Sequence, residues 1–306
     1  MRITPGMTAD NAVYNLQQGR AGLDALQEQI SSGTNVTKPS DDPLTTRQLL
    51  TLQNEIDAGK QASSNITKGT LLLNVANTAL GGMADIMTQV KSAAATLLSG
   101  SSDPTAIAST TSNLTQLKAQ LIDLGNTQIG NQFVFAGFKN SKPFDAAGNF
   151  TGTNDSLGVE IAPGSQVGST ISGGSLLRGG TPPVAVGTGA TAGGSPVDIL
   201  GSIDALITAI SSSNSSGVSD GIKNMATAAD QITAAQTDVA GRLTRLTNAQ
   251  TMITNNQNTL ESAYGDKQNV DYAKAGVELS QQTTAFNASL SATAKITQLS
   301  LLDYLK

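Results

Sequence analysis

Two adjacent aspartates, Asp41 and Asp42, lie between Pro39 and Pro43 in the stretch TKPSDDP, residues 37–43. Paired carboxylates can perform general acid–base chemistry or hold a metal ion, but only when they converge on one site. Neighbours in sequence do not face each other on a helix. The chain has no His and no Cys, which removes the usual partners of a carboxylate metal site and the base of a Ser–His–Asp triad. The local reading is a helix start. Asp42 is the N-cap, Pro43 is the first helical residue, and the acidic charge of Asp41 and Asp42 favours the positive end of the helix. A second candidate, GTGATA at 187–192, matches a loosened phosphate-binding pattern. It sits in a Gly/Pro-rich loop without the strand–turn–helix frame such a site requires. No catalytic, cofactor or metal residues are expected.

The elements behind Asp42 are long and helical. Val13, Leu16, Leu23, Leu26 and Ile30 recur at helical spacing and end at SSGTN. From Leu52 to Met87, positions 52, 56, 59, 63, 66, 70, 73, 77, 80, 84 and 87 step by threes and fours. A helix over 44–98 is roughly 80 Å long, a coiled-coil dimension. Asp103-Pro104 starts a third helix through Leu114, Leu117, Leu121 and Leu124. Residues 222–260 repeat the three–four stepping, with Gln236, Gln250 and Gln257 at seam positions that fix register at a cost in stability. A final helix carries Val277, Leu279, Phe286, Leu290, Ile296, Leu299, Leu302 and Tyr304.

Between the helical halves, QFVFAGFKNSKPFD and the Gly/Asn/Thr-rich stretch after it alternate in β fashion. The expected fold is mainly α with a β insert. Long antiparallel coiled-coil helices from both chain halves form a rod, with a small antiparallel β domain at the far end. Residues 1–40 plus 265–306 make a terminal helical domain, 41–130 plus 197–264 the rod, and 131–196 the outer β-rich domain. The terminal helices lie beyond the Gly-containing breaks SSG and YGD. An isolated pair of such helices buries little, so they are expected to order on a partner or on copies of the chain.

Composition narrows the function. With 13% charged and 3% aromatic residues, the chain suits thin elements better than one thick core. A net charge of −5 argues against nucleic acid. No run reaches 18 apolar residues, so no membrane insertion is expected. MRITPGMTADNAVYNLQQGR has no apolar h-region, so no cleaved secretory signal is expected either.

Several stretches together resemble the bacterial flagellin family. QEQISSGTNVTKPSDDP is similar to its N-terminal signature and QFVFAGFKNSKPF to its entry into an outer domain. GRLTRL resembles a motif of its C-terminal long helix, and NVDYAKAGVELSQQTTAFNASLSATAKITQLSLLDYL its C-terminal end. The MRI opening, PSDDP and SLLDYL look more like the family's hook–filament junction members than like the filament subunit. Thr34 and Asn35 stand where members often carry basic residues. The resemblance implies a structural protein without cofactor, exported by the flagellar type III apparatus and placed outside the cell. It implies assembly through the terminal helices, at Val13, Leu16, Leu23, Leu26, Ile30, Leu279, Phe286, Leu290, Ile296, Leu299, Leu302 and Tyr304. The implied partners are copies of itself in a ring, a hook-side junction protein, flagellin on the distal side and a cytoplasmic export chaperone. A filament subunit, and another type III-exported coiled-coil protein, are the alternatives.

Overall fold

The computed structural model describes residues 5–98, 103–162, 164–179 and 196–304. The described helices are, in chain order, α1 (Pro5–Ser32), α2 (Pro43–Leu98), α3 (Pro104–Gly125), α4 (Gly173–Leu177), α5 (Ile199–Ser211), α6 (Ser215–Gln268) and α7 (Tyr272–Tyr304), with α2 and α6 by far the longest. Four short strands complete the described residues: β1 (Gln128–Ile129), β2 (Gln132–Phe133), β3 (Gly158–Ala162) and β4 (Ser165–Gly168). The chain forms two compact units, Met1–Ala58 with Asn256–Lys306 and Gly59–Asn255, so the division falls within α2 and α6.

Helix starts are set by side-chain caps. Asp103 accepts from the Thr105 amide with Pro104 in the first turn, and Asp198 accepts from the Gly201 amide. Asn214 accepts from the Gly217 amide where α6 begins. One expected break does not occur. The YGD stretch lies inside α6, which runs on to Gln268. A single helical Gly costs only about 1 kcal/mol, too little to end so long a helix. Asp271 instead caps α7, accepting from the Ala273 and Lys274 amides.

In the 59–255 unit, α2 and α6 run antiparallel. Ser63 meets Gln250, Gly69 lies against Leu246, and Gly81 lies against Gln236. The α6 seam is inward along its length; Met225, Ile232, Val239 and Leu246 are fully buried. On α2 the buried face is wider than one stripe. Leu73, Leu80 and Met87 are buried, and so are Leu72, Ala79 and Ile86, while Asn77 is exposed. The extra row arises because α2 has other neighbours: Leu124 of α3 lies against Gly82. Helix α3 in turn packs on α5, where Lys118 pairs with Asp204 at 2.7 Å.

The expected β domain is largely irregular. Two hairpins form, β1–β2 and β3–β4, the second with a register shift between Glu160 and Ala162. Elsewhere side chains replace a ladder. The Asn126 side chain accepts from the Phe144 amide and donates to the Phe144 carbonyl. Thr170 Oγ1 accepts from the Leu157 amide. Gly, Asn, Ser and Thr provide too little side-chain surface to stabilise a larger sheet. The buried Phe135 and Phe144 form this region's core, with Phe150 tilted on Phe144 at 5.3 Å. GTGATA lies outside the described residues.

Candidate assembly surface

Asp41 and Asp42 serve two different turns. Asp41 accepts from the Thr37 hydroxyl and the Lys38 amide, both at 3.2 Å. Asp42 accepts from the Leu44 and Thr45 amides at 3.1 and 3.0 Å, and from the Thr45 hydroxyl at 2.6 Å. The Thr45 hydroxyl, then the Thr45 amide, holds the Asp42 carboxyl below its ordinary range. Asp42 is the N-cap of α2 with Pro43 in its first turn, and the two carboxylates do not converge. Among the described residues no group of three or more His, Cys, Asp or Glu could hold a metal ion.

The helical termini present a more distinctive surface. Ala12, Leu16, Gly19, Leu23, Leu26 and Ile30 step by fours and threes along α1, and all are half-buried. Their counterparts on α7 are Ala275, Leu279, Gln282, Phe286 and Thr293. The helices pack antiparallel and close together. A Cβ at Gly19 would lie 3.4 Å from Phe286 Cδ2, and one at Gly22 would lie 3.0 Å from Gln282 Nε2. This seam is thin. No described side chain of α1 is buried, and on α7 only Ala275 is.

Of the residues singled out from sequence, Leu16, Leu23, Leu26, Ile30, Leu279 and Phe286 share this seam. Val13 and Leu290 do not; they are 47% and 52% exposed, as apolar as their neighbours but pointing to solvent. Ile296, Leu299, Leu302 and Tyr304 lie on α7, with side chains outside the described set. Gly19, Gly22 and Gln282 also line the seam, although none is a large apolar residue. The unbroken three–four stepping signals Gly19 and Gln282; Gly22 lies off it and has no local signal.

The two connections beside this pair are joined by backbone. Thr34 bridges Asn269 in antiparallel fashion, with the Asn35 amide donating to the Gln268 carbonyl and the Val270 amide to the Gly33 carbonyl. The Gln29 side chain donates to the Asn35 carbonyl. Gly33 ends α1 with φ +72°, and the Tyr272 hydroxyl would lie 2.9 Å from a Cβ placed there. Only glycine meets both demands.

Comparison with known proteins fits these helices. The bacterial flagellin N-terminal helical region matches residues 3–140, and the bacterial flagellin C-terminal helical region matches 222–305. The chain is similar to flagellar hook-associated protein 3 of Salmonella typhimurium, 28% identical over 167 residues. It is 24% identical over 164 residues to the Escherichia coli protein of that name. The matched part is 53% of this chain, and the chain spans about half (52%) of the length of these curated relatives. Its fold is similar to solved structures at 20% identity or less. FlgL of Xanthomonas campestris aligns over 70% of this chain and 99% of its own, with TM-score 0.59. The flagellar junction protein FlgL of Legionella pneumophila aligns over 72% of this chain and 99% of its own, with TM-score 0.55. A half-buried helical seam at the termini, no converging chemistry and flagellin regions at both ends have one common account: the chain belongs to the bacterial flagellin family, whose members are structural proteins and not enzymes.

Proposed function

We propose that this chain is an axial subunit of the bacterial flagellum that joins hook to filament. The observation that carries the reading is the thin α1–α7 seam, which leaves Val13, Tyr14, Val277 and Leu290 exposed on helices among whose described side chains only Ala275 is buried. Such a pair gains stability from packing against further helices. Neighbouring copies in a ring would supply them, with a hook-side junction protein below and flagellin above. The junction role, over that of a filament subunit, is favoured by the likeness to hook-associated protein 3 and to a protein described as the flagellar junction protein.

In the assembled state residues 1–40 and 265–306 form the inner helical layer, 41–130 and 197–264 a rod of antiparallel long helices, and 131–196 the outward part. Before assembly the protein is cytoplasmic, its C-terminal helix held by an export chaperone, and it leaves through the flagellar type III apparatus. Val13, Leu16, Leu23, Leu26, Ile30, Leu279, Phe286, Leu290, Ile296, Leu299, Leu302 and Tyr304 are the assembly residues. No helix of the described residues is long and apolar enough to cross a membrane.

Deletion of the coding sequence in its source bacterium tests the reading. Hooks without filaments, with flagellin shed into the medium, are expected by electron microscopy and immunoblot. Complete filaments would overturn it.

A further inference from the structure

The α2–α6 seam of the 59–255 unit changes character along its length. From Met225 to Leu246 on α6, and from Ile66 to Met87 on α2, it is lined mainly by buried apolar side chains, with half-buried Gln236 against Gly81 the polar exception. Past Leu246 and Ile66 the apolar face thins to buried Ala249 and half-buried Ile253 on α6, and a polar pair enters it. Gln250 meets Ser63, donating from Nε2 to Oγ at 2.7 Å, with half-buried Ala62 and Gly59 in the next turn of α2. Gln250 Oε1 is buried and finds no hydrogen-bond partner in the protein. One heptad further along α6, just past this unit, Gln257 Nε2 is also buried without a partner in the protein.

A buried amide atom without a partner weakens the closed state, because it has given up its hydrogen bonds to water and gained none. Opening the helices at this layer restores those bonds, and the apolar contact at stake is that of Ala249 and half-buried Ile253, smaller than a layer of fully buried Leu. The neighbouring layers at Leu246, Leu73 and Leu80 behave oppositely, since each loses a fully buried side chain on opening.

We infer that the section of the α2–α6 pair around Gln250 and Ser63 is a yielding section, where the two helices part first and close again while the rest of the seam stays shut. A subunit under load can then give way locally without losing its core.

Hydrogen–deuterium exchange of the full-length protein tests this. Amides over 248–255 are expected to exchange about tenfold faster than those over 225–246, as low-cost local opening requires. Gln250→Met keeps the side-chain length and removes the amide, and it is expected to slow exchange over 248–255 severalfold while leaving 225–239 unchanged. Equal protection of the two segments in the wild-type chain would overturn the inference. So would a Gln250→Met variant that folds and exchanges as fast as, or faster than, wild type over 248–255. If that variant fails to fold, the wild-type profile alone decides.

Discussion

Arg242 donates from Nη1 to the carbonyl oxygen of Thr170, 72 residues away, at 3.1 Å. The same nitrogen reaches the Gly168 carbonyl at 3.2 Å, and Nη2 pairs with Asp238 at 2.7 Å. A rigid guanidinium fork on α6 thus holds the end of β4 and the strand exit by backbone atoms. Thr170 is itself buried, and its carbonyl also accepts from the Ser156 hydroxyl.

Arg242→Met should therefore loosen the β3–β4 hairpin more than its loss of charge suggests. It keeps the aliphatic stem and leaves partly buried carbonyls short of a donor, a loss of about 1–3 kcal/mol. Chemical denaturation should show that drop, and proteolysis within 157–170 should speed up. Arg242→Lys should recover only part of the loss, since an ammonium cannot reproduce the fork.

Gly33→Ala is expected to act at the joint between α1 and α2. The φ of +72° disfavours any Cβ by about 1–2 kcal/mol, and the Tyr272 hydroxyl occupies the space as well. Melting followed by circular dichroism should show the α1–α7 pair destabilised, and Tyr272→Phe should relieve part of the penalty.

Two helical glycines should respond in opposite directions. A Cβ at Gly221 would lie 2.6 Å from Leu206 Cδ1 and 3.3 Å from Leu206 Cβ, inside the packed core. Gly221→Ala should cost about 1–3 kcal/mol from overpacking, outweighing the helix-propensity gain of about 1 kcal/mol. A Cβ at Gly241 would meet nothing within 4 Å. Gly241→Ala should then keep the propensity gain and stabilise the protein by about 0.5–1 kcal/mol. Paired urea titrations separate the two.

These positions also mark what was legible in the sequence. The caps at Asp42 and Asp103 were readable because both act on amides within three residues, so local chemistry fixes them. The heptad stepping foretold α2 and α6, and placed Leu73, Leu80, Val239 and Leu246 inward. Gly265 misled because a breaker residue was weighed without the length of the helix around it. The Gly/Asn-rich middle read as strands because alternation of small residues is common to strands and turns; there the order comes from Asn126, Thr170 and Arg242 acting over long separations. The Thr34–Asn269 bridge joins opposite ends of the chain, and no local pattern announces it.

Acid should weaken two helix starts and the 145–149 turn in a defined direction. Hydrogen bonds from the Thr45 hydroxyl and amide lower the Asp42 pKa below 3.8, and Thr105 and Asn149 do the same for Asp103 and Asp145. A carboxylate depressed in the folded state contributes stability in full above pH 3.8. That contribution is lost as pH falls from 3.8 through the depressed value. The urea midpoint should fall over this window, and the fall should be shallower in Asp42→Asn, which still caps but does not titrate.

The terminal seam gives the last test, because its residues separate folding from assembly. Phe286 packs against Gly19 on a helix whose only buried described side chain is Ala275, so it adds little to the core of the 59–255 unit. Phe286→Ala should leave the main unfolding transition of the purified chain unchanged. In the proposed assembly the same aromatic is an anchor, whose truncation typically weakens binding by about 2 kcal/mol, or about thirtyfold. Incorporation onto isolated hooks, scored by immunogold labelling, and swimming-halo diameter in a complemented deletion strain should both drop. A variant that swims and decorates hooks like wild type would show that the α1–α7 seam is not the surface through which copies join.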